Sequence, residues 1–77
     1  MPRNTMLNAL IEESHDAFGQ LQMQRQNLIF EHQCVDRGWV DPAPGAILIR
    51  SAEASVYHAE VVAKQAKKAL LEYLGLA

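Results

Sequence analysis

The chain has one cysteine, Cys34, in 77 residues. A single thiol excludes an internal disulfide framework and any zinc site built from paired cysteines. It fits a reducing compartment. No apolar run approaches the roughly 18 residues of a membrane span. The segment Met1-Pro2-Arg3-Asn4-Thr5 lacks the apolar centre of a secretory signal. The expectation is a soluble, cytoplasmic protein with no membrane partner. Excess basic charge is missing too. Lys and Arg number 7 and Asp and Glu number 9, for a formal net charge of −2. Nucleic-acid binders usually show a basic domain, so this balance argues against such a partner.

Catalytic motifs are scarce. The chain holds no HExxH, paired CxxC, GxSxG or phosphate loop. His15, His32, His58 and Cys34 are the candidates for a metal or proton site. His32 and Cys34, two residues apart, diverge on a helix. The paired Glu-x-x-His motifs of di-iron bundles are missing. These side chains read as solvated or edge residues. The expectation is no enzyme, no catalytic residue, no metal and no cofactor.

Glycine and proline are few, and in the interior they gather in one place, Gly38-Trp39-Val40-Asp41-Pro42-Ala43-Pro44-Gly45. Proline removes a backbone donor and fixes φ, and glycine tolerates the left-handed conformation that ends helices. On either side lie segments rich in Ala, Leu, Gln, Glu and Lys, which favour helix. The reading is an all-α, antiparallel two-helix hairpin over residues 1–77, with helices at about 5–37 and 42–74 and a corner at 38–41. Asn4 or Thr5 can cap the first helix. Asp41 followed by Pro42 reads as the N-cap and first position of the second. The alternative starts that helix at Ser51 and leaves Ala46–Ile49 extended. Gly38-Trp39 and Gly75-Leu76 read as two copies of one helix-stop signal, with Trp39 packing back on Cys34 or Val35. Gln20–Gln26 alternates with period two, yet it lacks β-branched residues and reads as helix. Gly19, inside the first arm, marks a bend or a close contact.

Counted at 100° per residue, Leu7, Leu10, Ile11, Ser14, Ala17, Phe18, Leu21, Leu28 and Val35 form the first seam. Gln24, Arg25 and His32 fall in or beside it. The second seam is Leu48, Ile49, Ala52, Val56, Ala59, Ala63, Ala66, Leu70 and Leu74. Its alanines allow two helix axes to approach closely. With the corner near residue 40, residue i lies level with residue 80 − i. Glu12, Glu13 and Asp16 then lie level with Lys68, Lys67 and Lys64.

A lone hairpin of this length has a thin core. The expectation is therefore a homodimer, forming a four-helix bundle with two-fold symmetry. Met23, Phe30 and Cys34 on the first arm, Ile47, Tyr57 and Val61 on the second, and Trp39 at the corner lie outside the seams. An exposed apolar patch on a small protein marks an interaction surface. It serves either as the dimer seam or as the site for a partner. The leading function is a non-enzymatic regulator, inhibitor or adaptor that binds a larger protein through a helical face. The alternatives are a small structural subunit of a larger assembly and, more weakly, an RNA- or DNA-binding hairpin dimer. RNA-binding helical-hairpin dimers share the architecture, a likeness of fold that carries little about function.

Overall fold

The computed structural model describes residues 5–76. Among the described residues there are two helices, α1 (Thr5–Asp36) and α2 (Pro42–Tyr73), and no strand. Each helix has 32 residues, which at ~1.5 Å per residue spans about 48 Å. Both ambiguous stretches, Gln20–Gln26 and Ala46–Ile49, are helical. The expected cap at Asn4 lies outside the described residues.

The corner is built from backbone hydrogen bonds. Gly38 sits at φ 73°. Its amide donates to the Val35 carbonyl at 3.0 Å, and the Trp39 amide donates to the Cys34 carbonyl at 2.9 Å. These two bonds satisfy carbonyls that the end of a helix otherwise leaves unpaired, and only glycine takes the left-handed position without penalty. The same pattern closes α2. Gly75 has φ 74°, its amide donates to Glu72, and the Leu76 amide donates to Leu71. Asp41 stands at the N-cap of α2 in extended conformation with Pro42 behind it, but its side chain makes no capping hydrogen bond. Its carbonyl accepts from the Gly45 amide at 2.8 Å.

Trp39 does not pack back as expected; the residue is 62% exposed. The Arg37 guanidinium lies 5.2 Å from the centre of that ring, and Val40, half-buried, takes the inner position beside Gly45. The chain leaves Gly38 so that the residue after Trp39, and not Trp39 itself, turns toward the helices.

Along α1, the residues at Leu7, Leu10, Ser14, Ala17, Leu21, Gln24, Leu28, Glu31 and Val35 are all buried or half-buried. Along α2 the corresponding set is Gly45, Ile49, Ala52, Val56, Ala59, Ala63, Ala66 and Leu70. Both sets alternate steps of three and four, the heptad pattern of helices that coil left-handedly about each other. The seam is therefore straighter in sequence than a 100° count makes it. Ile11, Phe18, Leu48 and Leu74, placed in the seams by that count, are exposed. Gln24 and Glu31 sit in the seam, while Arg25 and His32 lie outside it and are exposed.

The register follows residue i beside residue 80 − i. Gly45 meets Val35, and a Cβ at Gly45 would collide with Val35 Cγ2. Farther from the corner, Ala17 and Leu21 pack with Ala59, Ala63 and Ala66 in one cluster, and Val56 covers its edge. In this cluster α2 contributes only the methyl groups of Ala59, Ala63 and Ala66, which lets the backbones approach there. Gly19 is different: nothing lies within 4 Å of a Cβ added there, so it marks no close contact.

The two glycines should respond oppositely to alanine. Gly19→Ala should stabilise by up to ~1 kcal/mol, the ordinary helix-propensity difference. Gly45→Ala should lose that gain and destabilise, because the stiff β-branched Val35 must move, an overpacking cost of ~1–3 kcal/mol. Ala63, 1% exposed, should give a like loss when changed to Leu. Urea unfolding of the three variants checks this; equal stability of Gly45→Ala and Gly19→Ala would contradict the register.

Candidate interaction surface

The helices pair closely, so the body is narrow, 58 × 22 × 14 Å. Leu21 is the one large aliphatic residue buried among those described; the rest of the core is alanine, Cys34 and Gly45. Leu10, Leu28, Ile49 and Leu70 are half-buried along the seam, and large apolar side chains off it, such as Phe18 and Phe30, are exposed. The accessible surface is 6009 Å². A folded monomer of 8.6 kDa ordinarily exposes roughly 4,700 Å². The excess of roughly 1,300 Å² exceeds the ~800 Å² that one partner contributes to a standard interface.

The two long sides of the hairpin differ. One is a groove of about 890 Å³ running beside the seam. Its floor is Ala17 and Ala59; Glu12, Glu13 and Asp16 stand on the α1 wall, and Ser55 and His58 on the α2 wall. The Ser55 hydroxyl donates to the Ser51 carbonyl at 3.1 Å, within its own helix. No lysine lines the groove. The acids and Lys64, Lys67 and Lys68 are level along the hairpin, as the register requires, but they face different ways. Lys68 instead lies 3.9 Å from Glu72, one turn on. The charge match across the arms expected from sequence is absent among the described ion pairs.

The opposite side is marked by the pair Arg25–Glu60, at 3.9 Å and largely solvated. This is the one described ion pair between the helices. An exposed pair of this kind contributes ~0–1 kcal/mol. Phe18 and Arg25 border a shallow hollow beside it.

Of the residues expected to bind a partner, Met23, Phe30, Trp39, Ile47 and Tyr57 are exposed, and Val61 is half-buried. Cys34 is a correction. It is 6% exposed, because the chain folds back over it where Trp39 and Val40 donate to its carbonyl. The others do not form one patch. Met23 and Phe30, seven apart, share a face of α1. Tyr57 lies one turn from Glu60, on the ion-pair side of α2. None of the seven lines the groove. Sequence reasoning passed over Ile11, Phe18 and Leu74 as interaction residues because it counted them in the core; their heptad positions could have found them.

No three His, Cys, Asp or Glu side chains gather into a possible metal site among the described residues. Glu12 and His15 have Glu-x-x-His spacing, but Glu12 lines the groove and His15 does not. No helix among the described residues is long and apolar enough to cross a membrane. Compared with known proteins, the chain matches no family model, no curated protein and no solved structure.

Cys34 should therefore react with a soluble thiol reagent far more slowly in the folded protein than in denaturant. Equal rates would place it on the surface.

Proposed function

We propose that this chain is a non-enzymatic interaction module, a small regulator, inhibitor or adaptor that works as a homodimer and presents a helical face to a larger protein. The observation that carries the reading is the number of large apolar side chains left exposed on a body only 14 Å thick. Phe30, Trp39, Ile47 and Leu48 are all exposed and cluster in sequence around the corner. Aromatic residues and Met are favoured at protein interfaces, and charged residues are depleted at their centres. The corner is closed by the backbone bonds of Gly38, Trp39 and Val40. A partner docking there meets a backbone already held in place, which lowers the entropic cost of binding.

The reading is tested by Phe30→Asp. A pull-down from the native cell, read by mass spectrometry, should recover one stoichiometric protein with the unaltered chain and lose it with the variant. Circular dichroism and light scattering should show the variant still helical and dimeric. Retention of the same partner by Phe30→Asp would remove this face from the account. Recovery of a many-membered particle would favour a structural subunit, and nuclease-sensitive material a nucleic-acid binder.

A further inference from the structure

The ion-pair side of the hairpin carries more large apolar surface than a solvated face does. Arg25 fixes its position on α1. Phe18 is seven residues before Arg25, Ile11 fourteen before and Ile29 four after, so all three share that side. Glu60 fixes it on α2, where Tyr57 is three residues before and Leu74 fourteen after. Ile11, Phe18, Ile29, Tyr57 and Leu74 are all exposed, from 44% to 71%. The groove side carries large apolar residues too, Val62 in its lining and Met23 and Phe30 at seven-residue steps from Asp16, but there Glu12, Glu13 and Asp16 stand with no lysine beside them to pair across an interface.

We infer that this side is the seam between two copies of the chain, related by a two-fold axis that crosses the middle of α1, between Gln20 and Leu21. The inference rests on the homodimer proposed above and goes beyond it by choosing the face, the direction and the pairs. In this arrangement α1 lies antiparallel to its own copy, and so does α2. The level of residue i on α1 meets the level of residue 41 − i in the second copy. Ile11 then falls within one residue of the second Ile29, a mismatch of about 1.5 Å. Through the 80 − i register, Tyr57 is level with residue 23 of α1, which places it in the same layer as the second Phe18. Lys67, seven residues after Glu60, meets the second Glu53, seven before it, again within one residue. Each match occurs twice, as an isologous interface requires. Glu60 falls near the axis, where its own Arg25 already balances its charge.

The area agrees. The whole chain exposes roughly 1,300 Å² more than a typical monomer of its mass, enough to supply the ~800 Å² per partner of a standard interface. A parallel dimer on the same side would set Lys67 of one chain level with Lys67 of the other and leave Ile29 without an apolar neighbour. The antiparallel one joins opposite charges and like apolar groups. It also leaves the acidic groove and the corner open.

A charge exchange tests both face and direction. Sedimentation equilibrium of the unaltered chain should give a dimer. Ile11→Lys alone and Ile29→Glu alone should each weaken it by about tenfold or more. Together in one chain, Ile11→Lys and Ile29→Glu should regain most of the lost affinity, because each meets the other across the axis. A double variant as weak as the worse single one overturns the pairing. Should the single variants lose their helix, mild oxidation of the Ile11→Cys/Ile29→Cys chain decides the matter. A covalent dimer supports the seam, and its absence overturns it. A monomeric unaltered chain overturns the homodimer itself, whereas a dimer indifferent to these changes overturns only this seam.

Discussion

Everything in this hairpin depends on how closely its two helices approach. Ala52, Ala59, Ala63 and Ala66 present only methyl groups to α1, and Gly45 presents no side chain at all where Val35 meets it. Small residues at every second seam position let the axes come near the lower end of the ~8–10 Å range. That approach fixes the register, because only one alignment sets Val35 against a glycine and Leu21 among alanines. It also fixes the corner, since a turn closed by Gly38 and started again by Pro42 must deliver α2 to α1 at that separation.

The same closeness limits the core. Burying a methyl group removes far less apolar area from water than burying a leucine, at ~25 cal/mol per Å². A seam of alanines therefore stabilises weakly for its length. The large side chains the sequence does contain, among them Phe18, Met23, Phe30, Trp39 and Tyr57, stay outside. Structure and function join here. A protein that spends its small residues on its own pairing keeps its large ones for other surfaces. In the proposed function, one side serves a second copy and the corner a larger protein.

Much of the fold was legible in the sequence. Gly38 and Gly75 signalled both helix ends, Asp41-Pro42 the start of α2, and the alanines the seam. The 80 − i register followed from the corner alone. What escaped did so for one main reason. A count at 100° per residue drifts by about 20° per heptad from a seven-residue repeat, and over 32 residues it swept Ile11 and Phe18 into the core and left out Gly45 and Glu31. Level was also easier to read than facing, so the acids and lysines matched in height while pointing to different sides. Trp39 and Cys34 turned on the path of the chain after Gly38, which no periodicity records. The candidate surface was legible only as a surplus of apolar residues; its division into two sides needed the ion pair and the groove.

In the proposed dimer the alanine seam leaves each hairpin short of core, and a second copy supplies part of its stability. The direct measure is the midpoint of thermal unfolding, followed by circular dichroism over a hundredfold range of protein concentration. Association that stabilises only the folded state makes that midpoint depend on concentration. For the proposed dimer the midpoint should rise steadily as concentration increases. A midpoint that stays constant across the range would show a hairpin stable by itself, and would contradict that dimer.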